Sequence, residues 1–99
     1  MATQECKTLA KALVVLDVLL RNFVYGFSST ELVNETGYSS SDITRYVQTL
    51  EQSGYAERIP ETNRIRPSHK LALKFMQIQR SLEHAHAKIS ESKNLLGIN

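Results

Sequence analysis

The stretch "SSTELVNETGYSSSDITRYVQTLEQSGY", Ser28 to Tyr55, constrains the fold more than any other part of the chain, because it holds two helix starts and two helix stops. Ser28 with Glu31, and Ser39 with Asp42, each set a hydroxyl N-cap three places ahead of a carboxylate, the spacing that satisfies free N–H groups at a helix start. Gly37 and Gly54 come after the two runs; a helix commonly ends on a left-handed residue, a conformation glycine adopts without strain. Between these signals lie Leu32 and Val33, then Ile43, Val47 and Leu50, the apolar stripes of two short helices. Two such helices joined by a tight turn containing glycine form a helix-turn-helix whose second member presents its amino end outward.

The flanks complete the domain. Upstream, Leu9, Leu13, Leu16, Leu20 and Phe23 recur at spacings of four and three, which predicts a first helix burying that face. Lys11 and Asp17 interrupt this apolar run, and it is far shorter than the roughly 20 residues a membrane span needs. Downstream, Tyr55 to Ile59 and Arg64 to Arg66 read as two short strands around "PETN", a small wing. Beyond Pro67, Leu71, Phe75, Ile78, Leu82, Ala85 and Ile89 again alternate spacings of four and three, a seam along which two helices pack. Ser92 occupies the next seam position, so the seam weakens before Leu96.

The expected fold class is therefore mainly α with a small β-hairpin wing, a winged helix-turn-helix plus a long C-terminal helix. The expected organisation is an N-terminal arm over 1–8, the winged domain over 9–67, a dimerising helix over 68–93 and a tail over 94–99. With 99 residues, 41% of them hydrophobic, the chain suits one compact domain. Cys6 is the only cysteine, and no Cys/His ligand set accompanies it. Together with the missing signal-peptide pattern, this predicts a reducing, cytoplasmic setting, with no membrane partner and no cofactor or metal.

At these residues the chain resembles the amino-terminal winged helix-turn-helix domain of IclR-type bacterial transcriptional regulators. "LAKALVVLDVLL" corresponds to the first helix, "STELVNETGYSSSDITRYVQTLEQSGYAER" to the helix-turn-helix and first wing strand, and "RIRPSHKLALKF" to the second strand. The resemblance covers about Leu9 to Phe75 and is most specific from Gly37 to Gly54. It implies a domain that binds double-stranded DNA with its third helix in the major groove, as a homodimer on a pseudo-palindromic operator. Regulators of that family carry a long carboxy-terminal effector domain. The chain ends at Asn99, so small-molecule sensing is not carried over, and a small regulator of phage or mobile-element origin is the corresponding expectation.

The residues support the DNA reading independently. With Ile43, Val47 and Leu50 inward, Ser41, Thr44, Arg45 and Gln48 fall on the outer face of a recognition helix over about 40–53. Ser39, Ser40 and Ser41 at its start allow close approach to a phosphate, which the free amides there attract. Arg45 matches guanine bidentately or grips a phosphate, and Gln48 matches adenine. In the wing, Asn63 sits at the tip, and Arg64 and Arg66 are phosphate or minor-groove candidates. Arg58 is assigned instead to a carboxylate, Glu57 or Glu61, and Asp42 to capping. The dimer interface is expected at Leu71, Phe75, Ile78, Leu82, Ala85 and Ile89; whether the seam pairs parallel, pairs antiparallel or only covers the first helix is left open.

Other features carry less. His84 and His86 point about 200° apart on a helix, so they form no ligand pair. His69 reads as solvated beside the wing. Tyr38, Tyr46 and Tyr55 sit where hinge and core packing explain them better than base stacking. No serine elbow, His-Glu-x-x-His or phosphate-cradling glycine loop occurs, so no catalytic residues are assigned. A second class stays open: a winged-helix module that binds a protein partner through its last helix. Its motive is the acidic balance of residues 28–54, where Glu31, Glu35, Asp42 and Glu51 face only Arg45.

Overall fold

The computed structural model describes residues 4–95 and Gly97. Residues 1–3 of the expected arm, and Leu96, Ile98 and Asn99 of the expected tail, lie outside the described residues. In chain order come α1 (Lys7–Leu19), α2 (Ser29–Thr36), α3 (Ser40–Gln52), β1 (Ala56–Arg58), β2 (Ile65–Pro67) and α4 (His69–Leu95). The two strands pair antiparallel, Ala56 opposite Pro67, Glu57 opposite Arg66 and Arg58 opposite Ile65. Phe27 adds a bridge to Ile65, with reciprocal backbone hydrogen bonds of 2.8 Å, so the segment before α2 lines the outer edge of the wing.

The helix boundaries arise from local chemistry. Ser28 and Glu31 form a reciprocal capping box at the start of α2, and Gly37 ends that helix at φ 74°. Ser39 caps α3 by accepting from the Asp42 N–H at 3.1 Å. This second cap is one-sided, contrary to expectation: the Asp42 carboxylate pairs with Arg45 instead, at 2.9 Å. An aspartate side chain is one carbon shorter than glutamate, and an arginine at the next i+3 position offers it a charged partner.

The core gathers α1, α2, α3 and the wing base around Val15, Leu19, Leu32, Ile43, Val47 and Ile65, all essentially inaccessible. Ile43, Val47 and Leu50 point inward as the spacing predicts, and Tyr46 joins them at 4% exposure. In α1 the expected face is wrong. Ala12, Val15, Val18 and Leu19 are buried, Leu16 is half-buried, and Leu9, Leu13, Leu20 and Phe23 are exposed. Helix α1 is apolar on most of its circumference, so two stripes satisfy the helical period and periodicity alone does not choose between them. The buried stripe carries the smaller side chains, Ala12, Val15 and Val18, and is the one packed with α3 in the core. Helix α1 also stops at Leu19, earlier than the apolar pattern suggests, and turns over residues 20–25 lead to Gly26.

Helix α4 leaves the body almost at once. Its N-terminus is anchored by Ser68, whose Oγ donates to the Gly54 carbonyl at 2.6 Å and accepts from the Leu71 N–H at 3.1 Å. Glu57 of β1 accepts the His69 N–H at 2.8 Å. Leu71 is buried; Phe75, Ile78, Leu82 and Ile89, the rest of the large seam residues, are exposed. With 27 residues, α4 extends roughly 40 Å. No helix among the described residues is long and apolar enough to cross a membrane.

Candidate nucleic-acid interface

Burial of Ile43, Tyr46, Val47 and Leu50 fixes the rotation of α3, and with it the opposite face. Ser40, Ser41, Thr44, Arg45 and Gln48 are all exposed on it, with Ser39 just before. Three hydroxyls here have internal partners: Ser39 caps the helix, Ser41 bonds to Ser39, and Thr44 donates to the Ser40 carbonyl at 3.0 Å. Ser39 and Ser41 share a 3.3 Å hydrogen bond. The guanidinium of Arg45 lies 5.7 Å from the Tyr46 ring centroid while it pairs with Asp42. Its side chain is 64% exposed, so both contacts hold it over the helix surface without enclosing it. Tyr46 meets Tyr38 edge-to-face at 6.2 Å, and the Lys11 ammonium lies 5.4 Å from the Tyr38 ring. The three tyrosines separate accordingly: Tyr38 and Tyr46 serve the hinge and the core, and Tyr55 is partly exposed at the end of α3.

The wing arginines are held internally. Arg64 pairs with Glu31 of α2 at 2.6 Å and donates to the carbonyls of Tyr25 and Gly26, each at 3.0 Å. This hydrogen bond from Arg64 is the main reason the Glu31 carboxyl titrates below its ordinary value. Arg66 donates twice to Glu57, at 2.9 and 3.1 Å, and lies over the Phe23 ring at 5.4 Å. Burial acts to raise Glu57, but the bonds from the His69 N–H, Arg66 and the His69 ring outweigh it and lower its pKa. Arg58 reaches neither Glu57 nor Glu61; it pairs with Glu51 of α3 at 3.3 Å, because its strand faces the end of that helix. At the tip, Asn63 is exposed in the left-handed region, φ 59°, where asparagine is among the few tolerated non-glycine residues.

The fold thus gathers the α3 face and puts Asn63 at the exposed tip of the wing, while Arg64 and Arg66 brace the base of the wing. Sequence reasoning missed Lys11, a cation from α1 stationed against the turn between α2 and α3. Its signal was visible as the charge that breaks "LAKALVVL", but nothing local ties it to Tyr38, 27 positions away. His84 and His86 are both exposed on α4, and no group of metal-ligating side chains occurs among the described residues.

The model of one protein family, the IclR helix-turn-helix domain, matches residues 8–60, more than half of the chain and nearly all of α1 together with α2, α3 and β1. No curated protein and no solved structure matches the chain.

Proposed function

The chain belongs to the IclR helix-turn-helix family of DNA-binding transcription regulators, and from that premise we propose how it engages DNA: as a sequence-specific homodimer, with α3 in the major groove and the wing against the backbone or minor groove. The observation that carries this reading is the division of α3 into a fully buried face and an exposed one bearing Ser41, Thr44, Arg45 and Gln48. A two-faced helix rooted this firmly in the core presents its outer side chains in a fixed arrangement, which base reading requires.

In this reading Arg45 and Gln48 read base edges, Thr44 and Ser41 approach the backbone, and Ser40 leaves its amide at the helix start facing a phosphate. Asn63 carries the wing tip to the duplex. Arg64 and Arg66 reach phosphate only by sharing their carboxylate partners, so their main contribution is to hold the wing at its angle. The exposed part of the α4 seam, beyond Leu71, which its own body buries, joins two copies and sets the recognition helices about 34 Å apart, one turn of B-DNA.

A second reading, a winged-helix module for a protein partner, draws on one observation: Arg58, Arg64 and Arg66 each pair with a carboxylate of the same chain, which leaves the wing little free positive charge. Selection from a random duplex library at about 50 and 200 mM salt separates the two, because phosphate-dominated binding falls steeply over that range. Enrichment of a two-fold motif supports the operator-reading dimer. Failure to retain any duplex at the lower salt favours the protein module.

A further inference from the structure

The exposed stripe of α1 has no part in DNA binding as proposed. Leu9 and Leu13 are more than half exposed, at 57% and 53%, and Leu20 at 39%. Leu9 and Leu13 form one wall of a groove whose other wall is Thr49, Ser53 and Tyr55 and whose floor includes Leu71. A neighbouring groove, lined by Leu20, Phe23, Pro67, Ala72 and Phe75, joins the far end of the same stripe to the start of α4. Contiguous apolar surface of this kind marks an interaction site. Its shape suits an amphipathic helix laid along it, with anchors at helical spacing.

The chain itself provides such a helix. On α4 beyond Phe75, Ile78, Leu82 and Ile89 continue the four-and-three spacing and face solvent. Helix α4 runs out from the body after Phe75, so its greater part does not lie along its own α1. Nor does its charge pattern favour pairing with its own copy. With Phe75, Leu82 and Ile89 at the a positions, Lys74, Ser81 and Lys88 occupy g, and Gln79, His86 and Lys93 occupy e. No carboxylate flanks the seam. A parallel pair would set Lys88 against the Lys93 of the other copy, and an antiparallel pair with full overlap would set Lys74 beside Lys88. Asp17 of α1, by contrast, follows Leu13 by one helical turn and is exposed, a carboxylate available to a lysine-flanked helix.

We propose that α4 of a second copy docks along the α1 groove, and α4 of the first along the α1 of the second, so that each dimer contains two α1–α4 contacts exchanged between copies. This rests on the homodimer reading above and specifies its interface: two-fold symmetry requires that each copy contribute both the groove and the helix that fills the other's. Leu9, Leu13 and Leu20 are the receiving residues, with Phe75 closing the end of the groove; Ile78 and Leu82 are the anchors.

Leu13→Asp and Leu82→Asp test it, because both side chains are exposed and neither supports the core of a single copy. Unchanged helical circular dichroism would establish that each variant folds. In sedimentation at micromolar concentration the wild type is expected to be dimeric and each variant monomeric. An equimolar mixture of the two is expected to recover dimer, because the mixed pair keeps one intact contact, the wild-type α1 of one chain against the wild-type α4 of the other. An interface of α1 on α1 and α4 on α4 leaves no intact contact in that mixture. A mixture that stays monomeric, or a variant that dimerises as the wild type does, overturns the proposal while leaving a wild-type dimer in place. A monomeric wild type overturns the homodimer reading itself.

Discussion

Arg64, at the entry to β2, grips Glu31 of α2 with both prongs of its guanidinium, Nη1 to Oε1 at 2.6 Å and Nη2 to Oε2 at 3.1 Å. Its remaining bonds go to the carbonyls of Tyr25 and Gly26. One side chain therefore ties the wing to the capping box of α2 and to the turn after α1. Replacing Arg64 with Ala leaves two backbone carbonyls without their donor, at a cost of about 1–2 kcal/mol. For a domain of this size that lowers the melting temperature by roughly 5–15 °C. Arg64→Lys should recover only part of the loss, since an ammonium cannot reproduce the fork. A thermal scan in which Arg64→Ala melts with the wild type would show that the clamp is not holding the wing.

Arg45 is the converse case. Its contacts to Asp42 and Tyr46 are surface contacts, so Arg45→Ala should leave stability within about half a kcal/mol. Its effect belongs to DNA: a loss of about 1–3 kcal/mol on the selected duplex, with relaxed preference at one base position. Competition titrations against single-base variants of that duplex measure it. Equal loss on every duplex would reassign Arg45 to phosphate contact.

Two glycines should respond differently to alanine. Gly26 has φ 68°, and a Cβ there would press into the Ile65 carbonyl, the backbone group to which Phe27 donates. Gly26→Ala therefore has to break the Phe27–Ile65 bridge, and we expect a loss of about 3 kcal/mol or more. Gly37, at φ 74°, faces open space, so Gly37→Ala costs only the left-handed backbone, about 1 kcal/mol. Urea unfolding of both variants gives the comparison, and similar midpoints would contradict it.

Acid should loosen the ties of the wing to α2 and to α4. Glu31 and Glu57 both titrate below the ordinary glutamate value of 4.5 when folded. The unfolded chain then binds more protons than the folded one across the carboxylate range. The stability these groups contribute is thus complete above about pH 5 and is lost as the pH falls through their folded pKa values. Glu57→Gln removes its share at all pH values, so its stability deficit should be clear near pH 7 and smaller near pH 3. Denaturant titrations at the two pH values decide this; a deficit of the same size at both would mean that Glu57 acts through shape rather than charge.

Much of the candidate site was legible because its signals are local. The α3 face comes from Ile43, Val47 and Leu50 by helical geometry alone, and the capping box at Ser28 and Glu31 is a contact between near neighbours in the chain. What escaped the sequence is long-range. The partners of Arg64, Arg66 and Lys11 lie in other elements, and a basic wing reads the same whether its arginines face phosphate or an internal carboxylate.

The residues themselves determined the helix-turn-helix: its caps, its glycine stops and the inward stripe of its second helix are each settled within a few positions of sequence. Only the tertiary structure decided which stripe of α1 is core. Both stripes satisfy the same period, and the choice went to Val15 and Leu19 because packing against α3 depends on the shape of a distant surface. That choice turned Leu9 and Leu13 outward, leaving two unpartnered stripes, on α1 and α4, in a chain whose periodicity promised one buried face for each.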